Sequence, residues 1–203
     1  MGTPRDRTRV SDDAILVAVV RVSRRRGPAF TLAEVGREVG LSAARLVQRF
    51  GSRRGLILAA MRYWGAMSLS VVETLGKAAR PLDAYLRLIQ ASASSYRTMR
   101  PADSFAWFFL ATSEPQLHRW YRDYLGRLED ATAELLEAAV AAGELRSLDT
   151  ATMASRLTAV QLGRMALASV RGEPNGVAAV VADAVADMVE LLAPYSRSNL
   201  IVR

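Results

Sequence analysis

The sequence contains no cysteine and only one histidine, His118. Without cysteine there is no disulfide framework, no thiol catalysis and no thiolate metal site, and a single histidine excludes the usual multi-histidine metal clusters. The sequence also shows no recognisable catalytic site with paired carboxylates. We therefore predict that the protein is not an enzyme and holds no cofactor and no metal. His118 is expected to be a surface or packing residue rather than a ligand contact.

Long hydrophobic runs are also missing. The apolar run at residues 14–20 follows Asp12 and Asp13, is interrupted by Arg21, and has no small-residue cleavage site after it. It is therefore interpreted as a core helix rather than a signal peptide. No uncharged apolar stretch approaches the roughly 18 residues that a spanning helix needs. We predict a cytoplasmic protein that does not engage a membrane.

Excess positive charge is absent from most of the chain. Residues 1–63 contain 13 arginines and five acidic residues, a net charge of +8, whereas the remaining 140 residues hold 14 basic and 15 acidic side chains. A localised positive field of this kind is typical of a surface that binds nucleic acid.

Strand patterns are not found anywhere, while apolar residues make up 51% of the chain and recur at helical spacing. Glycine and proline cluster at a few breaks, which favours helices over sheets. We predict an all-α fold of about nine helices. Two of them are short helices within residues 31–50, and the expected ranges of the others are 11–25, 52–79, 81–99, 101–112, 115–142, 149–170 and 174–192.

Residues 31–50 show the most specific pattern, two short amphipathic helices joined by a tight turn. Thr31 and Ser42 are suited to cap the two helices, Gly36 is small where the helices approach, and Gly40 can adopt the left-handed conformation that ends the first helix. The residues expected to be buried are Leu32, Val35, Val39, Leu46 and Phe50. This pattern predicts a helix-turn-helix, whose second helix enters the major groove of DNA. The alternative is an ordinary helical hairpin.

Two kinds of DNA contact follow from the positions of polar residues in this segment. Thr31, Ser42, Arg49 and Arg53 stand at helix starts or flanks and are candidate phosphate contacts. Ala43, Arg45 and Gln48 are candidates for base edges, because arginine pairs with guanine, glutamine with adenine, and alanine can meet a thymine methyl. For Arg45 the alternative is a solvated surface side chain. Arg24, Arg25 and Arg26 fit either phosphate contacts or favourable partners of a helix dipole.

The segment resembles the tetracycline-repressor (TetR) family. The residues that carry the resemblance are Thr31, Val35, Gly36, Gly40, Leu41, Ser42, Leu46, Phe50, Arg53 and Leu56. The resemblance implies a three-helix DNA-binding domain at residues 1–51 and a helical ligand-binding and dimerisation domain at residues 52–203. Two departures stand out. Val47-Gln48-Arg49 replaces the family's Tyr-x-His, and Arg53-Arg54 replaces its Lys-Glu pair.

The resemblance also implies a ligand cavity among the fifth to eighth helices. The candidate ligand-binding residues are Tyr85, Met99, Trp107, Phe108, Tyr121, Tyr124, Gln161 and Met165. Such an apolar site would suit a small apolar or aromatic molecule, and the alternative is an aromatic core with no pocket. Arg156, Gln161 and Arg164 fit either polar ligand contacts or salt bridges across a dimer.

The expected function is a transcriptional regulator, a repressor that a small apolar or aromatic ligand releases from an inverted-repeat operator in double-stranded DNA. The last two helices, with Val181 and Val185, are expected to join a homodimer through a four-helix bundle. The alternative is a DNA-binding regulator without a small-molecule ligand, controlled by its abundance or by a protein partner.

Overall fold

A computed structural model of the chain describes residues 10–92, 100–172 and 176–197. Across these ranges it shows nine α-helices and no β-strand, so the predicted all-α class is confirmed; a single isolated bridge joins Leu145 and Ser196. The helices are α1 Asp12–Arg26, α2 Leu32–Val39, α3 Ala43–Phe50, α4 Arg53–Leu75, α5 Pro81–Ser92, α6 Pro101–Ser113, α7 Pro115–Ala141, α8 Thr150–Arg171 and α9 Gly176–Leu192.

The predicted helix boundaries differ from the observed ones at a few points. α4 ends at Leu75, short of the expected end near residue 79. Two short 3-10 helices, Gly27–Ala29 and Ala193–Tyr195, were not predicted. Each contains a proline, whose fixed φ suits a single tight turn and whose missing N–H prevents continuation of a regular helix.

The chain divides into two compact units at Tyr63 and Trp64. We call residues 1–63 the N-terminal unit and residues 64–203 the helical body. The division falls inside α4, which contributes residues to both units, rather than at the predicted boundary between residues 51 and 52. That functional boundary stays a prediction.

The N-terminal unit has a core built from one face of each of its helices. Along α1, Ile15, Leu16, Val19 and Val22 are buried, as expected of a core helix, and Val20 is half-buried. Leu46 is the single fully buried residue of α3, and Phe30, just before α2, is completely enclosed. The core side chains at 2% exposure or less are Ile15, Val19, Val22, Phe30, Val35, Leu46, Leu56, Ile57 and Ala60.

The helical body is organised around α7, which packs against α5, α6 and α8, while α8 also packs against α6 and α9. Leu135 and Leu136 lie on adjacent sides of α7 and belong to two different core clusters. The larger cluster is formed by Leu82, Leu86, Leu136, Ala139, Leu145, Met153, Ala154, Leu157, Val185, Met188 and Leu192.

A buried carboxylate joins the end of α7 to the start of α5. Gly143 ends α7 with a φ of +77°, and Glu144, 4% exposed, then points its side chain at α5. Its oxygens accept hydrogen bonds from the backbone N–H groups of Leu82 (2.9 Å) and Asp83 (3.2 Å). These are donors that the first turn of a helix leaves unpaired, so Glu144 caps α5 from a distant part of the chain.

α4 is the one helix in the described ranges that is long and apolar enough to cross a membrane by length and composition. Its most apolar 18-residue window has a mean hydropathy of 1.4, and 44% of that window is buried inside the protein. A core helix of a soluble protein passes the same test.

Candidate DNA-binding interface and aromatic cluster

Thr31 caps α2, as predicted, and Glu34 completes a capping box that was not predicted. The Thr31 hydroxyl accepts a hydrogen bond from the Glu34 N–H (3.2 Å), and the Glu34 carboxylate accepts one from the Thr31 N–H (2.7 Å). These hydrogen bonds, chiefly the one from the Thr31 backbone, hold the pKa of Glu34 below its ordinary value of 4.5. Both groups therefore stabilise the start of α2, where Thr31 is predicted to contact phosphate.

The turn between α2 and α3 depends on two glycines. Gly40 ends α2 in the left-handed region at a φ of +69°, as predicted. Gly36 is buried, and its carbonyl accepts a hydrogen bond from the Leu41 N–H at 2.8 Å. A Cβ at Gly36 would lie 2.3 Å from the Leu41 carbonyl oxygen. The turn therefore needs a residue without a side chain at this position.

α3 presents its polar residues outward. The Ser42 hydroxyl caps it by accepting a hydrogen bond from the Arg45 N–H at 3.2 Å, and Leu46 anchors it in the core. Of the candidate base-edge residues, Arg45 and Gln48 are exposed and in contact, with the Arg45 Nη1 donating to the Gln48 Oε1 at 3.4 Å, while Ala43 is half-buried. The arrangement leaves two side chains with donors and acceptors on one open helix face.

The two arginines predicted to contact phosphate are placed differently. Arg49, exposed at the end of α3, donates through Nη1 to the Val10 carbonyl at 2.6 Å and pairs with the Asp12 carboxylate. Arg53, half-buried at the start of α4, donates to two backbone carbonyls and lies over the Phe30 ring. Their roles toward DNA stay predictions.

The arginines at the end of α1 face acidic residues of α2. Arg25 pairs with Glu38, and the Arg26 Nε lies 3.3 Å from a Glu34 oxygen. With Val22 and Arg37 they line a surface groove of about 310 Å³. These pairs show that two of the three arginines take part in ordinary contacts between helices.

Five aromatic rings of α6 and α7 form a continuous cluster in the helical body, which we call the aromatic cluster: Phe105, Phe108, Trp120, Tyr121 and Tyr124. The Phe108 ring meets Tyr121 edge-on at 5.9 Å, and Trp120 stacks on Tyr124 at 5.2 Å with 7° between the planes. Burial raises the pKa of Tyr121 to about 12, with a smaller contribution from Tyr124. The cluster thus unites three candidate ligand residues, Phe108, Tyr121 and Tyr124.

The remaining candidate ligand residues are spread more widely. Trp107 meets Trp64 of α4 edge-on at 6.0 Å. Tyr85 is buried on α5, and desolvation raises its pKa. Met165 is half-buried on α8. Met99 lies outside the described residues.

The groove of the N-terminal unit is one depression of the described surface, and another, of about 230 Å³, lies beside Glu137 and Leu148. Neither is lined by the aromatic cluster.

His118 is exposed, as predicted. Arg164 forms a two-pronged ion pair with Asp187 of the same chain, both contacts at 2.5 Å, rather than one across a dimer.

Comparison with solved structures identifies the fold. SmeT, the repressor of the Stenotrophomonas maltophilia multidrug efflux pump SmeDEF, has a TM-score of 0.68 and 18% identity, with 96% of this chain and 95% of that chain covered. A TetR transcription regulator from Haloarcula marismortui has a TM-score of 0.67 and 14% identity, with 92% and 98% covered. The chain has the TetR-family fold.

Two further solved structures with this fold contain small molecules. SmeT in complex with triclosan has a TM-score of 0.69 and 17% identity, covering 94% of each chain. A candidate regulator from Saccharomonospora viridis in complex with choline has a TM-score of 0.67 and 20% identity, with 88% of this chain and 95% of that chain covered. No family model and no curated protein matches the sequence.

Within the TetR-family fold, sequence reasoning missed Gly65 of α4. A Cβ there would lie 2.8 Å from the Trp120 ring and 3.0 Å from the Tyr124 ring, so the stacked pair rests directly on the α4 backbone. The only sequence signal was a glycine inside a long apolar helix, which often marks close packing. The pairing of Trp64 with Trp107 was also missed, because no local pattern links them.

Proposed function

We propose that this chain is a DNA-binding transcriptional regulator. The observation that carries the proposal is the α3 helix, which is anchored by Leu46 and presents Arg45 and Gln48 outward from a unit with a net charge of +8. Side chains that can donate and accept on an exposed second helix are what direct reading of the major groove requires. The surrounding positive charge attracts phosphate.

Base reading is assigned to Ala43, Arg45 and Gln48, and phosphate contact to Thr31, Ser42 and Arg49. The preferred duplex is first selected by the wild-type chain from a random pool. Arg45→Ala or Gln48→Ala is then expected to cost about 1–3 kcal/mol and to relax preference at particular base pairs. Arg62→Ala removes the same charge from an exposed position on α4 and is the matched control. Unchanged base preference in both α3 variants would show that this reading assignment is wrong.

We further propose that two copies pair through α8 and α9 and read an inverted repeat. The support is an exposed stripe on α8, where Leu167 is 51% and Val170 84% exposed and Ala159 and Gly163 continue the same face. Large apolar side chains exposed along one face indicate an association surface. Val185 was also expected in the interface, but it is 3% exposed and packs in the chain's own core.

The dimer proposal is tested by Leu167→Glu with Met67→Glu as control. Met67 is equally exposed, at 54%, but lies on α4 away from the stripe. Sedimentation is expected to show a dimer for the wild type and the control, and a monomer for Leu167→Glu. A wild-type monomer at micromolar concentration contradicts the proposal.

We propose that a small apolar or aromatic molecule binds beside the aromatic cluster and releases the protein from DNA. The supports are the half-buried rings of the cluster and the direct contact of Trp120 and Tyr124 with Gly65 of α4. A ligand that parts these rings would displace α4, which also contributes to the N-terminal unit. Favouring the DNA-incompetent state by about 3 kcal/mol would lower DNA affinity roughly a hundredfold.

Triclosan and choline, present in two structures of the same fold, serve as first probes. A compound that binds the native state raises the melting temperature, and Tyr121→Ala should abolish that rise. Phe109→Ala is the matched control, since Phe109 is 67% exposed on α6 and makes no ring contact within the aromatic cluster described above. The same compound should weaken DNA binding, and DNA should weaken compound binding by the same factor.

The second candidate function is a DNA-binding regulator without a small-molecule ligand. The observation that favours it is that the rings of the aromatic cluster pack on one another, with Trp120 stacked on Tyr124 at 5.2 Å, as in an aromatic core without a pocket. Under this alternative, apolar and aromatic compounds across a broad panel leave the melting temperature and DNA affinity unchanged. Control would then depend on protein abundance or on a protein partner.

A further inference from the structure

Arg53 stands at the first residue of α4 and is bound to the segment that leads into α2. Its Nε donates to the Phe30 carbonyl at 2.8 Å and its Nη2 donates to the Pro28 carbonyl. The guanidinium carbon lies 5.3 Å from the centre of the Phe30 ring, and Phe30 is completely buried. One side chain thus makes two hydrogen bonds and one cation–π contact with two residues, Pro28 and Phe30.

These contacts occupy one of the two edges of the guanidinium that can hold phosphate. Two parallel donors on one edge form the fork that recognises a phosphate or carboxylate in two-pronged fashion. In Arg53 the Nε and Nη2 donors of that fork are already used by backbone carbonyls. A forked phosphate contact through this edge would require both carbonyls to be released inside a part-buried site, which is unfavourable. Only the outer Nη1–Nη2 edge is left for other partners.

Arg49, in the same unit, has partners that are easier to replace than those of Arg53. Its partners are the carbonyl of the half-buried Val10 and the carboxylate of Asp12, whose side chain is 61% exposed. Exposed ion pairs contribute little to stability and exchange readily. Phosphate can therefore replace these partners at small cost, and the two arginines should respond differently to the same substitution.

We propose that Arg53 is a positioning residue that holds the N-terminus of α2, rather than a phosphate contact. Pro28 stands three residues before Thr31 and Phe30 stands directly before it, and the capping box of Thr31 begins α2. By fixing these carbonyls and the Phe30 ring, Arg53 sets where Thr31 and the free N–H groups of the first turn of α2 stand. This inference rests on the proposed function, because the group it positions is a predicted phosphate contact.

The test compares Arg53→Lys, Arg53→Gln and Arg49→Gln in the full chain. Lysine keeps the charge but has neither the fork nor the planar group that lies over Phe30. Arg53→Lys and Arg53→Gln are both expected to lower the melting temperature by about 5 °C. Arg49→Gln should change it little. A melting temperature for Arg53→Lys equal to that of the wild type overturns the proposal.

DNA affinity is then measured well below all melting temperatures, on the duplex selected by the wild type. Arg53→Lys is expected to bind about tenfold more weakly even though its charge is kept. The slope of log affinity against log salt should stay unchanged for Arg53→Gln and fall by about one for Arg49→Gln. A fall of about one for Arg53→Gln shows a phosphate contact and overturns the proposal.

A double-mutant cycle separates positioning from simple stabilisation. If Arg53 acts through the start of α2, the tenfold loss caused by Arg53→Lys should shrink to about threefold or less in the Thr31→Ala background. An undiminished loss contradicts action through Thr31. If the wild type binds no duplex, the proposed function fails, whereas the melting of Arg53→Lys still decides whether Arg53 holds this segment.

Discussion

The N-terminal unit and the helical body are held together by different kinds of contact. In the N-terminal unit two helices of eight residues each are held by side-chain caps at Thr31 and Ser42 and by a left-handed Gly40 between them. In the body, α7 has 27 residues, and its aromatic side chains pack against α6 and, through Trp120 and Tyr124, against Gly65 of α4. Local hydrogen bonds define the first unit, whereas contacts distant in sequence define the second.

This difference predicts which substitutions each unit tolerates. A turn built from backbone atoms has no side chain that can move aside, so a wrong residue there is costly. Aromatic rings packed on a helix can shift by small rotations. The N-terminal unit should therefore be rigid toward substitution at its turn, and the body should adapt at its aromatic cluster.

Gly36→Ala should give the largest effect. Its Cβ would lie 2.3 Å from the Leu41 carbonyl oxygen, a backbone atom of the turn. We expect a loss of about 3 kcal/mol in unfolding free energy, measured by urea denaturation. Gly126→Ala is the control, because it lies in α7 with no atom within 4 Å of the added Cβ, and it should stabilise by about 0.5–1 kcal/mol. Equal effects of the two changes would refute the rigid turn.

Gly65→Ala should have a smaller effect than Gly36→Ala. The added Cβ meets the Trp120 ring at 2.8 Å and the Tyr124 ring at 3.0 Å, which are side-chain atoms. We expect a loss of about 1 kcal/mol because the rings can shift. Tryptophan fluorescence should change with it, reporting the displaced Trp120. A loss as large as that of Gly36→Ala would show that the aromatic cluster is as rigid as the turn.

The capping box of α2 should give an acid-dependent stability. The pKa of Glu34 is lowered by its hydrogen bonds to Thr31, so its contribution is full above the unfolded pKa and is lost as pH falls through the folded value, below 4.5. Glu34→Gln should flatten the acid limb of melting temperature against pH. In the Thr31→Ala background the same substitution should have little further effect. An unaltered acid limb in Glu34→Gln contradicts this account of the cap.

The smallest effect is expected from Tyr121 at high pH. Burial raises the pKa of its phenol from 10.0 to about 12, so the native state disfavours ionisation and loses this contribution to stability as pH rises above 10. In a phenolate absorbance titration, Tyr121→Phe should remove a late transition near pH 12. If Tyr121→Phe instead removes a transition near pH 10, Tyr121 is in contact with water rather than within the aromatic cluster.

The sequence predicted the N-terminal unit in most of its detail, because caps, a small residue and a turn glycine each act within a few positions of the chain. Thr31, Gly40, Ser42 and Leu46 could be placed for that reason. The hydrogen bonds from Arg53 to the Pro28 and Phe30 carbonyls could not be predicted, since they join residues more than 20 positions apart.

In the body the sequence predicted the helix order but not which faces meet. Helical periodicity shows that a face is apolar without showing its partner. The expectation that Val185 lies between subunits failed for this reason, since the same pattern fits a subunit core. The pairing of Arg164 with Asp187 and the capping of α5 by Glu144 likewise depend on tertiary contacts.

The most direct test of the DNA-reading assignment is selection of duplexes from a random pool by the wild-type chain and by the double variant Arg45→Ala, Gln48→Ala. We predict that the wild type enriches one inverted repeat and that the double variant, still folded by circular dichroism, loses preference at specific positions of each half-site while keeping salt-dependent binding. Enrichment of the same repeat by both proteins, or of none by the wild type, would contradict the assignment of α3 as the reading helix.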